Sequence, residues 1–125
     1  MKKAIFTNKA PRPVGPYSQA IKIDKWLFIS GQVPIDPLTG QRVEGDFKLK
    51  VKRVLENVKA IVEEAGGKLD NVVKVTVFLS DINKFQELNE VYEEYFKDTA
   101  PARSVIEAKL PKNFEIMMEV IAYIE

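Results

Sequence analysis

The spacing of apolar residues in the first half of the chain predicts a strand hairpin followed by a long helix. Two runs rich in β-branched and aromatic residues, 17–23 and 26–30, are separated only by Asp24-Lys25, which is the spacing of a tight hairpin. From Asp46, the predicted N-cap, apolar side chains recur at helical spacing until a Gly-Gly pair ends the run. The pattern therefore changes from a strand period to a helix period within this half.

The second half of the chain predicts one more helix between three strands. Residues 72–79 are almost continuously apolar, which indicates a central strand buried on both faces. Residues 82–96 place their apolar side chains on one helical stripe, and residues 102–106 and 115–124 have the composition of strands. With a short strand at residues 4–7, these elements predict an α+β fold with one mixed six-stranded sheet and two helices on one face.

The number of helices leaves one face of this sheet without a cover. Two helices suffice for one face only, yet residues 72–79 and 115–124 are apolar on both of their faces. An apolar face of this size does not stay exposed to water in a stable monomer. We therefore expect other copies of the chain to bury it, which makes the protein an obligate homo-oligomer.

Composition restricts the domain count and the partners. A chain of 125 residues with 46% hydrophobic and 30% charged residues predicts a single domain over residues 1–125. The net charge of +1 provides no field that would favour nucleic acid or an anionic membrane. No stretch approaches about 18 consecutive apolar residues, so we expect a soluble, cytoplasmic protein whose partners are small molecules or copies of itself.

The chain contains neither cysteine nor histidine. Disulfides, thiolate nucleophiles, histidine general bases and the usual zinc sites are therefore excluded, and no metal site is predicted. Any catalysis has to come from acidic, tyrosine, lysine, arginine or serine side chains, or from backbone groups.

Arg103 is the first candidate for a functional side chain. It follows Pro101 at the entrance of a predicted strand, where an apolar residue would be expected. A guanidinium in that position can hold a carboxylate or a phosphate with two parallel hydrogen bonds. The alternative is a structural ion pair with one of the 18 acidic residues.

Glu119 is the second candidate, because it interrupts an apolar strand. Its neighbours on the same face of the strand are Met117 and Ile121. Burying an unpaired carboxylate costs several kcal/mol, so Glu119 has to meet a cation, a hydrogen-bond donor or a polar cavity. Burial would also raise its pKa, which suits acid or base chemistry.

Three further residues have features of a binding site. Gly31, after Ser30 at the end of the hairpin, would let backbone N–H groups approach a ligand, although a β-bulge explains the glycine equally well. Asn89 lies on the apolar stripe of the second helix, where its amide needs partners; a hydrogen bond to a neighbouring loop is the alternative.

Four motifs in order along the chain resemble the RidA (YjgF) family of reactive intermediate deaminases. The motifs are GPYSQA at residues 15–20, FISGQVP at 28–34, PARS at 101–104 and EVIA at 119–122. The resemblance implies a chorismate-mutase-like fold and a homotrimer whose sheets face a central core. It also implies three sites in the clefts between subunits.

The same resemblance implies an activity, that of a 2-iminobutanoate/2-iminopropanoate deaminase. Enzymes of this kind hydrolyse enamine and imine intermediates, such as 2-aminoacrylate and 2-iminobutanoate, to 2-oxo acids and ammonia without a cofactor. By resemblance, Arg103 holds the substrate carboxylate and Glu119 positions the attacking water. The implied substrate-binding residues are Tyr17, Ser30, Gly31, Asn89, Arg103 and Val105. Many members have Cys where this chain has Val105, so a backbone role there survives but a thiol role does not.

Three other functions are compatible with parts of the sequence. The first is a module that binds 2-oxo acids or similar carboxylates without turnover. The second is an RNA-directed ribonuclease or translation inhibitor, which neutral charge, the absence of histidine and the lack of stacking patches disfavour. A purely structural role is the third, and it leaves Arg103, Asn89 and Glu119 without a common explanation. Residue pattern alone determines neither the physiological imine nor the number of subunits.

Overall fold

The computed structural model describes residues 1–125 and contains six strands and two α-helices, which confirms the predicted α+β class. Three short 3-10 turns, at residues 69–71, 82–84 and 111–113, connect some of them. The elements are β1 (Lys3–Ile5), β2 (Ala20–Ile23), β3 (Trp26–Gln32), α1 (Phe47–Glu64), β4 (Val72–Leu79), α2 (Phe85–Tyr95), β5 (Ala102–Glu107) and β6 (Ile116–Tyr123).

The six strands form one mixed sheet in the order β1-β2-β3-β6-β4-β5. β4 and β5 pair in parallel, and all other neighbours are antiparallel. The last strand, β6, lies between the hairpin and β4. As a result β4 is an interior strand but not the central one that its apolar sequence predicted, since β3 and β6 form the middle of the sheet.

Both helices pack on the same face of the sheet, as the sequence predicted. The buried side of α1 is made of residues at helical spacing, and 26 buried residues, most of them from the helices and the sheet, form one continuous core. Asp46 occupies the predicted N-cap position, but its side chain makes no capping hydrogen bond. Neither helix combines the length and apolarity needed to span a membrane.

The first strand of the hairpin is shorter than the sequence predicted, because β2 begins at Ala20 and not at residue 17. Residues 17–19 lie outside the strand, and the buried side chain of Gln19 holds this segment instead. The Gln19 Oε1 accepts from the Thr7 backbone N–H at 2.8 Å, and its Nε2 donates to the Pro11 carbonyl at 3.0 Å. At the turn, Asp24 has a φ of 52°, the left-handed conformation that short hairpins require. The segment before β2 is thus held by side-chain hydrogen bonds.

The opposite face of the sheet is uncovered and largely apolar. Phe28 is 45% exposed, and Trp26 packs edge-on against Tyr123 with ring centroids 4.8 Å apart. Across the strands, Phe28 pairs with Ile121, so these side chains form a continuous patch. This is the face that the helix count left without a cover.

Asn57 on α1 connects the helix to the loop after β3. The residue is fully buried, and its Nδ2 donates to the carbonyls of Ile35 at 3.1 Å and Val33 at 3.4 Å. Its Oδ1 accepts from Arg53 Nε at 3.1 Å. The amide therefore satisfies two loop carbonyls that have been removed from water.

Replacing this amide should destabilise the protein. Asn57→Ala leaves the two carbonyls without their donor, so we expect the free energy of unfolding to fall by about 1–3 kcal/mol. Urea denaturation measures the change, and Lys52→Ala, at an exposed position of the same helix, is the control. Equal stability of the two variants would show that Asn57 does not anchor the loop.

Candidate functional site

The register of the sheet places Arg103 and Glu119 on opposite faces. Arg103 lies beside Val75 in the β4–β5 ladder, and Val75 is fully buried on the face that the helices cover. Glu119 lies beside the next residue of β4, Thr76, in the β4–β6 ladder. Because successive side chains of a strand point to opposite faces, Glu119 belongs to the uncovered face. A single chain therefore does not bring the two predicted catalytic residues together.

Ser30 and Gly31 join Glu119 on the uncovered face through a β-bulge. The register between β3 and β6 shifts between Ile29 and Gln32, so that Ser30 and Gly31 together lie opposite Glu119. The sequence left open whether Gly31 serves a β-bulge or a backbone that approaches a ligand. The two explanations are compatible, because the bulge brings the Gly31 backbone next to Glu119 of β6.

Tyr17 and Gly31 line one cavity of about 200 Å³ on this side of the molecule. Met117 forms part of its wall, and a Cβ at position 31 would lie 2.6 Å from the sulfur of Met117. Only glycine permits this close approach without a shift of the Met117 side chain. The Ser30 hydroxyl donates to the Ser18 carbonyl at 2.7 Å, so it holds the segment that carries Tyr17.

Glu119 is exposed in the single chain, on the face that the sequence predicts other copies of the chain to bury. It lines a shallow hollow of about 190 Å³ together with Phe28, Lys74, Thr76 and Ile121. Its carboxylate takes part in no ion pair within the chain. The exposure follows from the missing cover of this face, which no residue of the same chain provides.

Arg103 occupies the other half of the candidate site, at the sheet edge under α2. Its guanidinium carbon lies 5.4 Å from the ring centroid of Phe85 and 4.7 Å from that of Tyr92. The side chain donates no hydrogen bond, and the four ion pairs of the chain do not include it. The structural ion pair considered for Arg103 is therefore absent, and its N–H donors are unused.

Asn89 and Val105 lie near this half of the site. Asn89 is on the stripe of α2 between Phe85 and Tyr92, four residues after the first and three before the second. It is half-buried and makes no side-chain hydrogen bond, so the alternative of a bond to a neighbouring loop is not seen. Val105, two residues beyond Arg103 on β5, points to the same face and packs against the core.

Sequence reasoning missed the contribution of Phe85 and Tyr92, which it assigned to the core only. The signal was their spacing, because both share a helical stripe with a polar residue, Asn89. The Tyr92 hydroxyl is buried without a hydrogen-bond partner. Burial raises the pKa of Tyr92 to about 12, and the nearby charge of Arg103 opposes this shift.

Fold and candidate residues together define a class of protein. Its members are small α+β proteins with a six-stranded mixed sheet and two helices on one face, and in this chain the candidate side chains are distributed over both faces. Comparison with known proteins identifies the family within this class.

The profile of the endoribonuclease L-PSP family matches residues 7–124. A RutC family protein of Pyrococcus abyssi is 58% identical over 125 residues, which cover 99% of this chain and 98% of the relative. The human 2-iminobutanoate/2-iminopropanoate deaminase is 45% identical over 123 residues, covering 98% and 90% of the two chains. The crystal structure of RidA from an Antarctic Psychrobacter species superposes with a TM-score of 0.94 at 45% identity, covering 98% and 99%.

The chain belongs to the RidA (YjgF) family, as its four motifs predicted. The fold agrees with the structures of that family, including a protein from Yersinia pestis with a TM-score of 0.96.

Removing the Tyr92 hydroxyl should not destabilise the protein. Tyr92→Phe loses no hydrogen bond and relieves a buried unpaired group, so we expect the free energy of unfolding to stay equal or to rise by about 1 kcal/mol. In the wild type, the unfolded chain loses this proton near pH 10 whereas the folded protein keeps it up to about pH 12. The free energy of unfolding of the wild type therefore falls as the pH rises through this window, and that of Tyr92→Phe should fall less.

Urea denaturation at neutral pH and at about pH 11 measures both effects. Tyr95→Phe is the contrasting variant, because the Tyr95 hydroxyl donates to Glu56 at 2.8 Å and its removal should lower stability at neutral pH. A loss of stability in Tyr92→Phe as large as that in Tyr95→Phe would show that the Tyr92 hydroxyl is paired after all.

Proposed function

We propose that this protein hydrolyses 2-imino acids and their enamine tautomers, 2-aminoacrylate/2-iminopropanoate and 2-iminobutanoate, to 2-oxo acids and ammonia in the cytoplasm. The observation that carries the proposal is the Arg103 guanidinium, whose carbon lies 5.4 Å and 4.7 Å from the ring centroids of Phe85 and Tyr92 and whose N–H groups form no hydrogen bond or ion pair within the chain. A cation with free, forked donors suits a small carboxylate ligand. The deaminase name of the human relative at 45% identity supports the same reaction.

The proposed reaction needs orientation more than a strong nucleophile. Arg103 binds the carboxylate with two parallel hydrogen bonds and thereby places the adjacent C=N carbon for attack. Water held by Glu119 adds its oxygen to that carbon while a proton passes to the nitrogen. The hydroxyl proton of this adduct then passes to the amino nitrogen, the C–N bond breaks as the C=O bond forms, and ammonia leaves. Neither His nor Cys, which the chain lacks, is required for these steps.

The two halves of the site belong to different chains in this proposal. Arg103 and Glu119 point to opposite faces of one sheet, so one chain supplies the arginine and a second chain supplies the glutamate. An assembly that covers the open apolar face around Phe28 also brings a second chain next to Glu119. A homotrimer with a site in each cleft, the assembly implied by the family resemblance, meets both requirements.

The remaining site residues have supporting roles. Backbone groups at Gly31, in the bulge beside Glu119, and at Val105, on the strand of Arg103, orient the substrate. In the proposed cleft between two chains, Tyr17 lines the pocket on the side of Glu119 and Asn89 lines it on the side of Arg103. Ser30 acts through the loop that it fixes, because its hydroxyl is already donated to the Ser18 carbonyl.

Two other functions predict different outcomes for the same experiments. A carboxylate-binding module would bind 2-oxo acids through Arg103 without accelerating imine hydrolysis. An RNA-directed activity, to which the family description refers, would require RNA binding that weakens with salt. The net charge of +1 does not favour it.

The uncovered sheet face predicts the oligomeric state. Sedimentation equilibrium of the wild type should give the mass of three chains, and Phe28→Asp should lower it to that of one chain, because a carboxylate in the apolar patch cannot be buried unpaired. Lys52→Asp, at an exposed position of α1, is the control and should remain trimeric. A folded wild-type monomer in dilute solution contradicts the proposed assembly.

Arg103→Ala should reduce the release of ammonia from enzymatically generated 2-iminobutanoate by at least about 100-fold, because the substrate is no longer positioned. Glu119→Gln should lower kcat, since the carboxylate that holds the water is lost. Lys52→Ala, at an exposed position of α1 outside the proposed site, is the control and should keep its activity. Unchanged ammonia release in Arg103→Ala rejects the assignment.

Mixing these two variants tests whether the site is shared. In coexpressed Arg103→Ala and Glu119→Gln chains, some clefts combine the intact arginine of one chain with the intact glutamate of the other. Random assembly should restore about a quarter of the wild-type activity. Activity no higher than that of the separate variants would show that each site lies within one chain.

A further inference from the structure

We propose that Phe85 and Tyr92 are positioning residues that clamp the Arg103 guanidinium between their ring faces and leave its N–H edges free for a carboxylate. The inference rests on the proposed role of Arg103 and names the residues that make it effective. It concerns α2, which the reaction as proposed above uses only through Asn89.

An arginine can be held in place in two ways, and the structure uses the less common one. A carboxylate partner would fix the guanidinium by hydrogen bonds to its N–H groups, and would thereby occupy the donors that a substrate needs. An aromatic ring instead attracts the cation through its face. With rings centred 5.4 Å and 4.7 Å from its carbon, Arg103 is held without the loss of a donor.

The acidic residues closest along these elements are bound elsewhere. Glu87 of α2 pairs with Lys84 at 3.5 Å, and the Glu107 carboxylate of β5 accepts from the Ile82 backbone N–H at 2.9 Å. Neither carboxylate therefore competes for Arg103. The surroundings keep the cation unpaired within the chain, which is the state that a carboxylate ligand requires.

The two rings of the clamp differ in burial. Tyr92 is 6% exposed and its ring packs against Phe96 with centroids 4.7 Å apart, so its position is fixed by the core. Phe85 is 40% exposed and begins α2. Tyr92 is therefore the rigid wall that sets the position of Arg103, and Phe85 is an outer wall with a smaller contribution.

The spacing of α2 explains how one helix delivers the clamp. Phe85 and Tyr92 are seven residues apart, which places them on the same face about two turns from each other. Leu88 and Val91, on the buried side, anchor the helix in the core. The anchoring holds the clamp against β5, so the aim of Arg103 depends on the packing of α2.

Nuclear magnetic resonance of the arginine Nε–H groups tests the clamp in the free protein. The chain has only four arginines, so their signals can be assigned by substitution. Ring faces on both sides should shift the Arg103 Nε–H signal upfield and keep it ordered. Tyr92→Leu should move the signal downfield and increase its motion, whereas Tyr92→Phe keeps the ring and should resemble the wild type.

The consequence for function is measured by titration with 2-oxobutanoate, the carboxylate product. Tyr92→Leu should raise Kd about tenfold and raise KM more than it lowers kcat, because the positioning of the carboxylate is affected. Tyr92→Phe should stay within about twofold of the wild type, and Phe85→Leu should lie between the two. Tyr95→Leu, on the same helix but hydrogen-bonded to Glu56, controls for a general loosening of α2.

The outcomes separate the clamp from the proposed reaction. If Tyr92→Leu leaves the Arg103 signal of the wild type, or changes it no more than the control Tyr95→Leu does, the clamp does not exist, whatever the activity. If Tyr92→Phe weakens binding as much as Tyr92→Leu, the hydroxyl and not the ring is responsible, and the proposal is overturned. If the signals change as expected but the wild type neither binds 2-oxobutanoate nor releases ammonia, the clamp stands and the proposed reaction fails.

Discussion

The alternation of side chains along β4 is the constraint on which the rest of this structure depends. Val75 and Thr76 are consecutive, so the residues beside them on the flanking strands, Arg103 and Glu119, have to point to opposite faces. The helices cover the face of the arginine and leave that of the glutamate open. Any chemistry that uses both side chains consequently requires a second copy of the chain, and the apolar character of the open face supplies a reason for that copy to bind.

The edge strand β5, under α2, carries the Arg103 cation in surroundings that leave its hydrogen-bond donors free. Arg103 lies close to the rings of Phe85 and Tyr92 and pairs with no acid of its own chain. Burying an unpaired charge is normally expensive, but the edge strand keeps the guanidinium partly exposed, and the ring faces compensate for part of the lost hydration. The guanidinium is thereby left with N–H donors that a carboxylate or another anion could accept.

Local pattern predicted most elements but not how they meet. The period of the apolar residues located both helices and the strands, because burial of one side is recorded in consecutive residues. It missed the late start of β2, where the Gln19 side chain replaces the ladder, and the role of Tyr92, whose contact with Arg103 joins two elements distant in sequence. It gave Glu119 an unnamed polar partner, and within the single chain this carboxylate forms no ion pair.

By itself, the sequence determined the fold class and the uncovered sheet face, because both follow from the spacing of apolar residues along short segments. It also determined the family and the candidate residues, because these follow from contiguous motifs. Only the tertiary structure decided that β6 enters between β3 and β4, that a bulge sets Ser30 and Gly31 opposite Glu119, and that Arg103 faces the helices. Strand order and register arise from contacts between residues far apart in the chain, and a shift of one residue would have moved Arg103 to the other face.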